Sequence, residues 1–277
     1  MKIIDDFYSS NFEPNNNKIL YERYIEFSEN IKSITKKRGN NQEINKWLAF
    51  KEFCKFSETS FLFRKSNNEI NFSSVLWISQ LREVANSVFQ INSVPPYTKI
   101  DNTFLRNFAT SSQDVKGLKT IGELLLTKGI ILIINKQFPG MKTDGAVFLL
   151  DSGNPVIGLT LRYSRLDSFW FTLFHELSHV SLHYEKIDNV ILDDLDEPDE
   201  TDIERDADFL ALESLIPANK WRSARLKYQV TKEALVELAS ELKIHPSIVA
   251  GRYRRENNNY TVFSDIVNAL DLKEVFK

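Results

Sequence analysis

Residues 169–180 read Phe-Trp-Phe-Thr-Leu-Phe-His-Glu-Leu-Ser-His-Val, and this stretch constrains the fold more than any other. Its density of large apolar side chains is that of a helix sunk in a core, yet it carries His175, Glu176 and His179. Such groups need partners, because a buried polar group without one costs free energy. At about 100° per residue, positions four apart stand about 40° apart around a helix axis, so both imidazoles point the same way. A tetrahedral zinc takes two neutral nitrogen donors so arranged. Glu176, one residue along, can reach a water on that metal and accept its proton. Ser164, with Asp167 three residues on, is expected to cap this helix, and the pattern carries it to about Tyr184.

A catalytic zinc takes a third protein ligand and keeps its fourth position open. Two residues compete for that role. Glu185 stands ten residues after His175, but the turn needed to bring it back calls for a glycine where Leu182 stands. Glu204 opens the run Glu204-Arg205-Asp206-Ala207-Asp208, which reads as a second helix and is the favoured source. Asp208, one turn further, shares its face and can hold a ligand histidine by the other ring nitrogen. Ala207 lets two helices approach closely. His183, four residues beyond His179, is expected near the centre, supporting a ligand, touching substrate or charging the helix end. Tyr163, His183 and Tyr184 are candidates to complete the oxyanion site. His245, followed by Pro246, reads as a helix boundary.

Around this segment the periodicity gives helices, then a small sheet, then helices, an α+β order. Helical spacing recurs at Leu20–Ile34, Ile44–Phe53 and Val75–Phe89, around Phe104–Phe108, and over Val115–Leu125. Ile130–Ile134 reads as a buried strand. Ala146–Leu150 and Val156–Leu161 read as a hairpin joined by Asp151-Ser152-Gly153-Asn154-Pro155. The first of those strands is expected to align an extended substrate by strand addition. Helices follow at Glu204–Ser214, Lys232–Leu242 and Ser247–Arg255. The boundaries expected are a helical N-terminal region over 1–75, a catalytic domain over 76–255 and a tail over 256–277.

Charge is informative by position. Asp188–Asp208 holds eleven acidic residues against Arg205 alone and reads as a surface loop feeding a helix. Lys220–Arg255 holds nine Lys/Arg against three Glu and reads as a solvated face, so direct nucleic-acid binding is not expected. The longest aliphatic run, Ile130–Ile134, is far below the roughly 20 residues that span a bilayer. Asp5 and Asp6 interrupt any apolar signal region, and the single Cys54 cannot form an intrachain disulfide. The expected location is therefore the cytoplasm.

The segment Gly158–His179, the run Glu204–Asp208 with Leu215-Ile216-Pro217, and Ile244–Arg252 together resemble the ImmA/IrrE family of zinc metallopeptidases. Leu62–Ser66 and the Trp77–Ala85 helix resemble its longer members. The resemblance implies a zincin-like core: a small antiparallel sheet packed on the active-site helix, beside a helical N-terminal region. It implies His175, His179 and Glu204 as ligands of one Zn²⁺ and Glu176 as the catalytic glutamate; the donor types also suit Mn²⁺ or Fe²⁺. It further implies a protein substrate, typically a helix-turn-helix transcription regulator or a toxin–antitoxin partner, in stress responses or mobile elements. Residues 1–60 show no helix-turn-helix, which points to a stand-alone peptidase. The rival readings are a non-proteolytic binding module that keeps the metal site, and a metalloprotease effector of antiphage defence.

Overall fold

A computed structural model describes residues 16–38, 45–59, 72–187, 191–193 and 201–276. It forms two compact units, Met1–Gln80 with Phe138–Met141, and Leu81–Gln137 with Lys142–Lys277. In the first, α1 (Asn16–Arg38) and α2 (Lys46–Thr59) join through aromatic side chains, and α3 (Phe72–Ile91) begins. Phe27 packs on Phe50 with ring centroids 5.4 Å apart, and Phe53 stacks on Phe72 at 4.8 Å. The Ser73 hydroxyl donates to the Pro139 carbonyl at 2.7 Å. Leu62–Ser66 lies outside the described residues.

The second unit continues with α4 (Asn102–Ala109) and α5 (Ile121–Leu126). Val115–Leu125 is therefore not one helix: Val115–Lys119 is a 3-10 turn, capped by Asp114, and α5 starts afresh after Thr120. Strands β1 (Ile131–Ile134), β2 (Gly145–Leu149) and β3 (Pro155–Leu159) follow. A fourth, β4 (Ile191–Asp193), comes from the acidic segment, whose residues 188–190 and 194–200 lie outside those described. The sheet order is β1-β3-β2-β4.

This sheet is mixed, which corrects the expected antiparallel one. The β2–β3 and β2–β4 pairs are antiparallel, but β1 runs parallel to β3, with Ile131 opposite Val156 and Ile134 opposite Leu159. A hairpin forces antiparallel pairing only on the two strands it joins; β1 reaches β3 by a longer connection that leaves its direction free. Asn154 in the hairpin turn is buried, and its amide donates to the carbonyls of Pro95 and Gly129, both at 2.8 Å. That ties the turn to the start of β1. β2 also carries neighbours on both sides over Gly145–Val147, so it has no open edge there for a substrate strand.

Helix α6 (Leu166–His183) lies on the sheet, and α7 (Asp202–Leu215) runs beside it. Trp170, Leu173, Phe174 and Leu177 of α6 join Val147, Ile157 and Leu159 of the sheet and Leu210 and Ala211 of α7 in one core. Each such large side chain contributes roughly 1.5–3 kcal/mol by leaving water. The expected Ser164–Asp167 cap does not form. Arg165 is the N-cap residue and makes no side-chain cap bond, while Asp167 pairs with Arg165 Nε at 3.1 Å. A strong charge partner two residues away outcompetes the capping arrangement.

Helices α8 (Ala218–Ser223), α9 (Lys232–Leu242) and α10 (Pro246–Glu256) follow; α10 packs against α6, and α9 against α10. His245 caps α10, its Nδ1 accepting from the Ser247 N–H at 3.2 Å ahead of Pro246. Two short helices, α11 (Ser264–Val267) and α12 (Leu272–Val275), follow, with Val267 and Leu272 buried in the same core. No helix among the described residues is long and apolar enough to cross a membrane.

Candidate metal centre

Helix α6 carries His175, Glu176 and His179 inward, at 5%, 0% and 0% exposure. Its period makes this possible: Leu173, Phe174 and Leu177 fix the buried face, and the two imidazoles fall one turn apart along it. Glu204 comes from the first turn of α7, which Thr201 opens by accepting from the Glu204 N–H. Ala207 is fully buried in α7, where a small residue lets the helices come close.

Three donor atoms converge. His175 Nε2 lies 3.0 Å from His179 Nε2 and 3.0 Å from Glu204 Oε2, and His179 Nε2 lies 3.3 Å from the same oxygen. On the far side of the ring, His175 Nδ1 donates to Asp208 Oδ1 at 2.8 Å. With Asp208 as acceptor there, the proton sits on Nδ1, so Nε2 presents a lone pair to its neighbours. Two imidazole lone pairs and a carboxylate would repel one another unless a cation stood among them. The spacings suit one: bonds of about 2.0–2.1 Å in a tetrahedron separate ligand atoms by about 3.3 Å.

Glu176 is buried against β2. A Cβ built on Gly145 would fall 1.9 Å from Glu176 Oε1, so the carboxylate occupies space that any other residue at 145 would take. Sequence reasoning missed this glycine. Its signal was available, because a glycine inside a strand marks close approach by another group.

The remaining candidates separate clearly. Glu185 is exposed in a turn after α6, and because α6 runs straight through Leu182 to His183 the chain never swings it back to the histidines. His183 stands beside the converging group, its ring 5.6 Å from that of His179 and its Nε2 3.8 Å from Asp206 Oδ2. Burial lowers its pKa, as do His179 and Lys186, with Asp206 and Glu204 opposing. Tyr163 lies under the guanidinium groups of Arg162 and Arg165, at 5.0 and 5.7 Å from its ring. The Tyr184 hydroxyl donates to the Gly153 carbonyl at 2.8 Å and serves the hairpin turn. Sequence reasoning also missed Arg255, which lies over the Phe171 ring at 4.8 Å with Nη2 3.8 Å from Asp208 Oδ2. The basic stretch is largely paired: Lys220, Arg225, Lys227, Lys232 and Arg252 each face a carboxylate.

Two imidazoles from one helix and a carboxylate from the next make this a domain of metallopeptidase type. Residues 128–254 match the family model Peptidase_M78, described as the IrrE N-terminal-like domain, and this domain belongs to the ImmA/IrrE family. No curated protein matches the chain.

Proposed function

We propose that the chain is a zinc-dependent endopeptidase with a zincin-like core, cleaving a protein substrate of the helix-turn-helix repressor or antitoxin type. The observation that carries the reading is the convergence of His175, His179 and Glu204 beside the buried Glu176. These three residues would hold the ion, which when bound supplies Lewis acidity toward a carbonyl oxygen and acidifies water. Asp208 keeps the His175 proton on Nδ1, so that Nε2 is ready to ligate. Glu176 takes the proton of the attacking water and passes it to the departing amine, which lets one carboxylate serve both halves of the hydrolysis. Gly145 gives that carboxylate its room, and the apolar wall of α6 keeps bulk water away from it. The paired state of the basic stretch weakens DNA binding by this chain as a rival reading.

The experiment compares protein N-termini in cells expressing the wild-type chain or Glu176→Gln. New termini that depend on Glu176, in a helix-turn-helix regulator, support the proposal and name its substrate. Identical termini under normal growth and under stress overturn it.

A further inference from the structure

Helices α7 and α10 each pack on α6, and among the three lies a hollow of about 440 Å³. Sites of that size hold whole small molecules, so one amino-acid side chain fits with room to spare. Phe171, Leu212 and Ile248 line it, one from each helix. Phe171 and Leu212 are only partly buried, so each still has apolar surface to take out of water.

The charged part of the lining is matched from within. Arg165 pairs with Asp167 at 3.1 Å, and Arg252 with Glu256 at 2.9 Å. Arg254 donates to the Tyr260 carbonyl and lies over the Tyr260 ring at 5.8 Å. Asp208 accepts from His175 at 2.8 Å. Charges satisfied in this way do not call for an ionic guest, and the surface left to cover is apolar.

Two contacts fix where the hollow lies. Asp208 lines it and holds His175 Nδ1, and the Phe171 ring, one turn ahead on α6, has its centroid 6.3 Å from that of His175. Residues of an extended chain stand about 3.3 Å apart, so a peptide laid across the converging donors carries a neighbouring side chain to this wall. Arg255 stands at the same wall with its side chain 47% exposed, over Phe171 at 4.8 Å and with Nη2 3.8 Å from Asp208 Oδ2. That separation is too long for a hydrogen bond, which leaves its donors for a backbone carbonyl of such a peptide.

We propose that this hollow is the specificity pocket of the peptidase, receiving a large apolar side chain next to the scissile bond while Arg255 holds a backbone carbonyl of the substrate. Leucine, methionine and phenylalanine are the side chains it takes. A glycine there leaves Phe171, Leu212 and Ile248 uncovered, and an asparagine sheds its water without gaining a partner. The assignment rests on the peptidase reading above and narrows its substrate to segments with such an apolar residue at the cut.

The test has two arms. In the first, the full-length Glu176→Gln chain with zinc added is titrated with end-capped alanine pentapeptides whose central residue is leucine, phenylalanine, glycine or asparagine, and amide shifts are followed by NMR. Leucine and phenylalanine are expected to bind at least about tenfold tighter than the other two, with shifts centred on Leu212 and Gly251. Adding Leu212→Trp, which fills the pocket, should erase that advantage, and adding Arg255→Met should weaken all four peptides alike. In the second arm, the zinc-loaded wild-type chain digests a peptide library made from a cell proteome, and leucine, methionine or phenylalanine should be enriched at one position flanking the cuts. Equal binding of the four peptides, or an undiminished preference in a folded Leu212→Trp chain, overturns the pocket even where the library is cut. So does cutting without that enrichment, and unchanged binding in Arg255→Met removes the arginine from the site. A binding preference with an uncut library supports the pocket and counts against the peptidase reading instead. Should Leu212→Trp fail to fold, the four-peptide comparison decides the matter.

Discussion

Asp208 and His175 are joined at 2.8 Å through the ring nitrogen that faces away from Glu204, so two carboxylates one turn apart on α7 engage opposite ends of one imidazole. Glu204 faces the lone pair and Asp208 holds the proton. The two acidic positions of α7 thus do different work, and substitutions should separate them.

Asp208→Ala should leave the fold intact and lower metal affinity by about 10–100-fold, because His175 loses the acceptor that fixes its tautomer and orientation. Competition with a zinc chelator measures this directly. Glu204→Ala removes a donor from the converging set and should lower affinity further than Asp208→Ala does.

Glu176→Gln keeps the shape of the side chain and removes its basicity. Metal content by elemental analysis should match the wild type, while cleavage falls by about 10²–10⁴-fold. A variant that loses metal and activity together would instead mark Glu176 as part of the metal-holding set.

Gly145→Ala places a methyl where Glu176 Oε1 lies, only 1.9 Å from the built carbon. Relief of that overlap displaces the carboxylate or the strand, and denaturant unfolding should register a loss of roughly 1–3 kcal/mol. Cleavage should fall as well. Added to Glu176→Gln, the alanine should cost little further activity, since both changes act on one group.

Burial lowers the pKa of His245, with Asp114 pulling weakly the other way. A histidine whose folded value is depressed below its unfolded value of about 6.5 binds protons more readily when unfolded. Its contribution to stability is therefore complete above about pH 6.5 and is lost as pH falls through the folded value. Protonation also removes the acceptor that caps α10. His245→Asn, a cap that does not titrate, should flatten the dependence of the melting temperature on pH as pH falls below about 6.5.

The legible parts of the fold were those written in local pattern. Helix α6 and the first turn of α7 could be read from apolar spacing and from the run Glu204–Asp208, because a helix fixes which residues share a face. Glu204 was separable from Glu185 for the same reason: nothing after His179 turns the chain. The parallel partner of β1 was not legible, since strand direction across a connection longer than a hairpin is a tertiary choice. The capping pair at Ser164 failed because Arg165 offered Asp167 an ion pair, a competition that spacing alone cannot weigh. Gly145 and Arg255 were missed on other grounds. Each acts on the site through a neighbour, Glu176 or Asp208, that lies far away in the chain.

Residues 191–193 hydrogen-bond to β2 at the strand position that shelters Glu176, with Asp193 opposite Gly145. A peptide that joined the sheet at that rail would have to evict them. The same stretch leads on to Thr201, the residue that caps the helix carrying Glu204. A guest strand there would therefore take the place of residues that stand, in the chain, only a few positions ahead of the helix carrying Glu204.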